Sequence, residues 1–203
     1  MPPMRVSLEA LEASCLQCER CDLARERQHV VVSRGNPAAR LMVIGEAPGA
    51  DEDAKGRPFV GRSGRLLDAC LADVGLDQHD SYICNMVKCR PPGNRRPTPA
   101  ELKACRPWLD HQLLEVNPEI LFILGATATA TLLECRTPIS RLRGQWMEWQ
   151  GRLVMPSFHP SYLLRNPSPD PGKPRALFMA DLAHVKQALN GAVSGLSPDS
   201  SDP

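Results

Sequence analysis

The sequence contains no long apolar run. Its longest, "LMVI" and "ILFIL", fall far short of the roughly 20 residues that cross a bilayer as a helix, so no membrane partner is expected. The opening stretch "MPPMRVSLEALEASC" has no apolar signal-peptide core, and a cytoplasmic location is the expectation. Net charge is also lacking: 24 basic residues against 23 acidic ones give +1, which excludes a chain that is basic all over. Aromatic residues are scarce at 4%, so an aromatic in a polar loop calls for an explanation. No internal repeat is present. With 42% hydrophobic and 23% charged residues the composition is globular. A chain of 203 residues can bury a core without help from a metal or a disulfide. One domain over residues 1–190 is expected, followed by a small polar tail, 191–203, that reads as disordered.

Proline and cysteine, by contrast, are plentiful. Twenty prolines are about twice the average share of about 5% and imply long, ordered, non-helical loops. Eight cysteines in a chain expected in a reducing compartment point to metal binding or burial rather than disulfides. Charge is concentrated locally. Lys88, Arg90, Arg95, Arg96, Lys103 and Arg106 are opposed only by Glu101, and Arg136, Arg141, Arg143 and Arg152 only by Glu148. Stripes of this kind bind phosphates or form solvated faces.

Short β-branched runs bounded by glycine or proline occur at 40–45, 82–87, 119–125 and 152–157, the pattern of buried parallel strands. Helical patterns lie between them. Leu66, Leu67, Cys70, Leu71 and Val74 share one helical face, as do Phe178, Leu182, Val185 and Leu189. Thr98-Pro99-Ala100-Glu101 is a capping box that starts a helix, and Pro107 is expected to kink or interrupt it. Residues 126–134 read as a further helix. Alternation of this kind predicts an α/β fold, a three-layer α-β-α sandwich around a short, mainly parallel four-stranded sheet. Ligands then bind outside the carboxyl ends of the strands, where the long loops after residues 45, 85 and 157 lie.

Cys15, Cys18 and Cys21 form C-x2-C-x2-C, and Cys89 and Cys105 flank the first basic stripe. A pair from the first group with Cys89 and Cys105 makes a four-thiolate site, for zinc or for an iron–sulfur cluster. Spacing chooses neither the metal nor between Cys15/Cys18 and Cys18/Cys21. Cys70, Cys84 and Cys135 lie in apolar patterns and read as inert thiols.

Five segments then follow in order: "CERCDLARERQHVV", "GEAPGADEDAKGRPFVGRSGRLLD", "YICNMVKCRPPGNRRPTPAE", "LRGQW" and "FHPSYLLR". In this order the chain resembles the family 4 uracil-DNA glycosylases, the iron–sulfur branch of the uracil-DNA glycosylase superfamily. The resemblance implies a DNA repair enzyme that flips uracil out of the helix and hydrolyses its N-glycosidic bond to leave an abasic site. It also implies a 4Fe–4S cluster on Cys18, Cys21, Cys89 and Cys105, with Cys15 as the extra thiol. The cluster then staples the DNA-binding loop.

The same resemblance assigns roles residue by residue. His159 resembles the catalytic histidine, a donor to uracil O2 as charge develops there. Phe59 resembles the aromatic that stacks on the flipped base, and Asn85 the amide that reads the O4 and N3–H edge. Gly45 and Ala47 would present backbone N–H groups to the base. Related families carry an aspartate or asparagine near Ala47; here Glu46 is the nearest carboxylate, a candidate for orienting water or steadying the cationic sugar. Asp51, Glu52 and Asp53 read as a solvated loop or a helix N-terminus. Ser161, Leu163, Leu164 and Arg165 resemble a minor-groove loop with an apolar wedge, and Asn94, Arg95 and Arg96 would contact the DNA backbone. The other histidines, His29, His79, His111 and His184, read as structural. A monomer acting on single- or double-stranded uracil-containing DNA is expected. The alternative is a damage binder trapped on uracil-DNA through a loop histidine, but residues 88–101 contain none.

Overall fold

The computed structural model describes residues 7–191. The tail 191–203, expected to be disordered, lies outside these residues apart from Gly191. Ser7 caps the first helix, α1 (Leu8–Leu16), its hydroxyl accepting from the Ala10 N–H at 3.3 Å. The chain continues through β1 (Arg34–Gly35), β2 (Leu41–Gly45), α2 (Ala50–Lys55), α3 (Arg62–Asp73), β3 (Ser81–Asn85), α4 (Pro99–Val116) and β4 (Ile120–Leu124). Then come α5 (Ala126–Leu132), α6 (Ile139–Leu142), β5 (Met147–Trp149), β6 (Arg152–Ser157), α7 (Pro160–Arg165) and α8 (Pro174–Leu189).

The sheet has six strands in the order β1-β3-β2-β4-β6-β5. Its four central strands are the expected ones and run parallel, but β1 and β5 add antiparallel edges. The expected four-stranded sheet is therefore corrected to a six-stranded mixed one. The edge strands carry no sequence signature, because two and three residues are too few to show a period of two. The β5–β6 hairpin turns through Gln150 and Gly151, both with positive φ, as the twist of a tight hairpin requires.

Every residue of β2, β3 and β4 is buried, so both faces of the sheet are covered. Leu41 and Val43 pack with α3, α7 and α8 through Leu67, Leu71, Leu163, Phe178 and Leu182. On the other face, Met42 and Ile44 pack with α4 and α5 through Leu109, Leu113, Ala128 and Leu132. A third cluster joins Leu11 and Cys15 of α1 to Cys105 and Trp108 of α4. The capping box forms as expected: the Glu101 N–H donates to Thr98 Oγ1 at 3.2 Å and the Thr98 N–H to Glu101 Oε2 at 2.7 Å. Pro107, however, neither breaks nor ends α4. The carbonyl it leaves unpaired belongs to Lys103, an exposed residue that water can serve, while buried Trp108, Leu109 and Leu113 hold the next turn. Among the described residues no helix is long and apolar enough to cross a membrane.

Candidate functional site

A cleft of about 680 Å³ opens at the carboxyl ends of β2, β3, β4 and β6, a size suited to a small ligand group. It brings together Glu46, Ala47, Phe59, Asn85, Asn94, Arg95, Arg96, His159, Ser161 and Arg165. Gly45, Leu163 and Leu164 are not on its lining.

Gly45 pairs with Asn85 at the ends of β2 and β3. A Cβ on Gly45 would stand 2.4 Å from Asn85 Oδ1 and 2.5 Å from Phe59 Cζ. The absence of a side chain at Gly45 lets the amide and the ring close over the strand end. Asn85 is 2% exposed, and its Oδ1 is buried with no hydrogen-bond partner, a costly arrangement unless a ligand supplies one. Phe59 has φ of 53°, a strained conformation for a bulky residue. Neighbours hold it there. A Cβ on Gly64 would collide with the Phe59 carbonyl at 1.9 Å, Arg34 Nε donates to Pro58 O at 2.9 Å, and Arg34 also pairs with Asp68.

His159 ends the segment after β6 and caps α7. Its Nδ1 accepts from the Ser161 N–H at 3.1 Å, with Ser161 Oγ at 2.9 Å. That bond places the proton of the neutral ring on Nε2. Burial, assisted by the Arg165 charge, brings the imidazole down to about 4, so it is neutral at pH 7. The Phe59 and His159 ring centres lie 6.0 Å apart.

Two carboxylates line the cleft and differ in occupation. Glu46 is half-buried and its side chain has no hydrogen-bond or ion-pair partner among the described residues. Glu52 is fully engaged: Oε1 accepts from Val60 N–H and Gly61 N–H, each at 2.8 Å, and Oε2 from Gly49 N–H at 3.1 Å. Its neighbour Asp53 is 2% exposed and accepts from the Gln28 and His29 N–H groups. Glu52 therefore braces the loop that carries Phe59, Asp53 ties α2 to residues 28–29, and only Asp51 remains exposed. A carboxylate three residues after the helix cap was the available signal for Glu52.

The basic stripe proves mixed. Arg96 is exposed at the cleft rim, but Arg95 makes a two-pronged pair with Glu101 at 2.7 and 2.9 Å. That guanidinium, with help from the capping N–H of Thr98, holds the Glu101 carboxyl down at about 2. Asn94 accepts from Arg90 Nε at 2.7 Å, and Arg106 pairs with Asp110. Lys88 is 1% exposed and cannot belong to a surface stripe. In the second run, Arg143 pairs with buried Asp181, which also accepts from Ser157 Oγ at 2.6 Å. The segment "LRGQW" thereby ties the end of β6 to α8. In the loop after β6, Leu163 is 1% exposed and packs in the core, while Tyr162 is 39% exposed on the cleft rim and lies 5.1 Å from the Phe158 ring. α7 turns the Leu163 side chain onto α3 and α8. Leu164 is half-buried and away from the cleft.

Cys18, Cys21, Cys89 and Cys105 line one small cavity together with Lys88 and Trp108, and Cys15 does not. N–H groups point at three of the four sulfurs. Trp108 Nε1 donates to Cys18 at 3.2 Å, Arg27 Nη1 to Cys89 at 3.4 Å and the Lys88 N–H to Cys105 at 3.2 Å. Burial pushes the Cys105 thiol up to about 11, against the opposing Lys88 charge, and Cys15 up to about 12. No group of three or more His, Cys, Asp or Glu side chains among the described residues is arranged to hold a metal ion. Cys70 and Cys84 are buried in the core, and Cys135 is half-buried.

The model of the Uracil DNA glycosylase superfamily matches residues 32–183. A type-4 uracil-DNA glycosylase of Thermotoga maritima is 42% identical over 184 residues, covering 90% of this chain and 94% of the relative. Type-4 uracil-DNA glycosylases of Archaeoglobus fulgidus and Saccharolobus solfataricus are 39% and 36% identical, over 79% and 91% of this chain and 85% and 87% of their own lengths. The chain belongs to the uracil-DNA glycosylase superfamily and, within it, to the type-4 uracil-DNA glycosylases.

Proposed function

We propose that this chain is a hydrolytic uracil-DNA glycosylase that removes uracil from DNA and leaves an abasic site. The observation that carries the reading is the buried, unpartnered Asn85 Oδ1 in a cleft that also holds Phe59 and a neutral His159. An amide oxygen left without a donor suits the N3–H of uracil, and the amide N–H2 suits O4. A cytosine edge reverses that pattern and would leave both groups unpaired. The Phe59 ring stacks on the flipped base, a contact worth about 1–3 kcal/mol.

As the glycosidic bond lengthens, the sugar gains positive charge and the uracil gains negative charge. His159 donates from Nε2 to uracil O2, its other nitrogen held by Ser161. No protonation change is needed at pH 7. Glu46, the unengaged carboxylate, orients the attacking water or steadies the cationic sugar. Ala47 borders the base, and Glu52 is committed to the loop.

Asn94, Arg96, Ser161 and Arg165 meet the DNA backbone, while Arg95 keeps the basic loop in shape through Glu101. Tyr162 offers the apolar surface at the rim. Residues 1–190 act as one domain and as a monomer, on single- or double-stranded DNA. The trapped binder finds no support among the relatives, which are named glycosylases.

The cysteine cavity fits the iron–sulfur cluster of the family. Four thiols surround it, three of them with an N–H at the sulfur, an arrangement that suits thiolate ligands. Cys18, Cys21, Cys89 and Cys105 would hold a 4Fe–4S cluster, which when bound crosslinks the N-terminal segment, the basic loop and α4.

The test is single-turnover cleavage of a labelled oligonucleotide with one uracil, read as alkali-labile abasic sites beside a matched thymine strand. Cleavage of the uracil strand alone is expected, slowed by about 10²–10³ in His159→Ala. Equal cleavage of both strands, or none, overturns the reading.

A further inference from the structure

Lys88 is an unusual resident of the core. It is among the largest fully buried side chains, and no carboxylate pairs with it among the described residues. Its Nζ donates to the Asn85 carbonyl at 2.7 Å and to Gln112 Oε1 at 2.5 Å. Gln112, 0% exposed, is itself fixed: Nε2 donates to Val32 O at 3.1 Å and to Tyr82 Oη at 3.0 Å. At its other end, the Lys88 main chain meets the thiol cavity, the N–H donating to Cys105 Sγ at 3.2 Å. Its carbonyl accepts from the Val31 N–H at 2.7 Å.

A buried ammonium without a carboxylate is costly, and a core lysine replaced by methionine would satisfy packing alone. What lysine adds is a charge-assisted bond to one particular carbonyl. That carbonyl belongs to the residue whose amide lies unpartnered in the cleft. Asn85 is the last residue of β3, and beyond it the ladder to Gly45 ends, with only Met86 and Val87 still bonding back to Gly45 O and Glu46 O. The Lys88 bond is therefore a restraint on the peptide plane that sets the direction of the Asn85 side chain.

We propose that Lys88 is a positioning residue for Asn85, aiming the amide that reads the base and tying it to the cysteine wall. This rests on the reading of Asn85 as the uracil contact. Acting through another residue, Lys88 should couple to it and to nothing else in the cleft.

Two measurements on the full chain test the coupling. In ¹H–¹⁵N spectra the Asn85 side-chain pair, identified by its loss in Asn85→Ala, is expected to shift in Lys88→Met; an unmoved pair overturns the proposal. This readout needs no activity, so it stands even if uracil is not the substrate. In single-turnover cleavage, Lys88→Met is expected to lose about tenfold or more, the scale of one charge-assisted bond. In the Asn85→Ala background the same change should cost nothing further. Additive losses would mean that Lys88 serves general stability and would overturn the proposal. Absence of uracil cleavage by the unaltered chain refutes the functional reading instead, with the spectral result still deciding the role of Lys88.

Discussion

Gly45→Ala offers a demanding test of the cleft. The added Cβ would stand 2.4 Å from Asn85 Oδ1 and 2.5 Å from Phe59 Cζ, where ordinary contact begins at 3.4 Å. Both partners must retreat by about 1 Å, and both are buried, at 2% and 5% exposure. Phe59 has little room because Gly64 and Arg34 hold its backbone. Overpacking of this kind costs about 1–3 kcal/mol, a fall in melting temperature of about 2–12 °C for a chain of this size. The fold should survive. Catalysis should not, since a displacement of about 1 Å at a reacting site can cost about 10²-fold. Gly45→Ala is therefore expected to melt a few degrees lower and to cleave uracil about 100-fold more slowly in single turnover. Adding Phe59→Leu should recover part of the melting temperature by removing one collision, without restoring the stacking ring. A Gly45→Ala protein that cleaves at the normal rate would refute the placement of Asn85 and Phe59 over this strand end.

Other outcomes follow from the same geometry. Asn85→Asp should weaken discrimination between uracil and cytosine in matched oligonucleotides, because the donor to O4 is lost. Cys89→Ser should abolish visible absorbance and bound iron, whereas Cys15→Ser, outside the cavity, should retain both. Glu101 titrates near 2 when folded against an ordinary 4.5, so its pair with Arg95 contributes stability above about pH 4.5 and loses it as pH falls towards 2. The melting advantage over Glu101→Gln should accordingly narrow between pH 7 and pH 3. Tyr162→Ala should weaken binding to an abasic duplex with little change in the melting temperature, since Tyr162 is exposed.

Much of this was legible from residue order alone. Four apolar runs bounded by glycine or proline identify the central strands, because strands covered on both faces must be apolar throughout. The capping box marks the start of α4, since local hydrogen bonds are written in local sequence. Spacing leaves the cysteine pairing open, because Cys15, Cys18 and Cys21 are equivalent in sequence; the resemblance implies Cys18 and Cys21, and those two, without Cys15, line the cavity with Cys89 and Cys105. α1 carries Cys15 into the apolar cluster and leaves Cys18 beyond its end.

What the sequence by itself determined is the class of the fold and the family; it also singled out Asn85 and His159, which fold into one cleft, and four thiols, which fold around one small cavity. Each depends on a short-range pattern or on a motif that survives without coordinates. Tertiary structure alone decided which charges are free and which are engaged. Arg143 looks like a surface charge in sequence, yet it is claimed by Asp181, a partner that only folding delivers. It also decided that Lys88 lies inside, that Leu163 faces the core and that Gly45 is empty space for two side chains. The physical reason is common to all of them: burial and pairing are properties of neighbours, and these neighbours are remote along the chain or differ only by the turn of a helix.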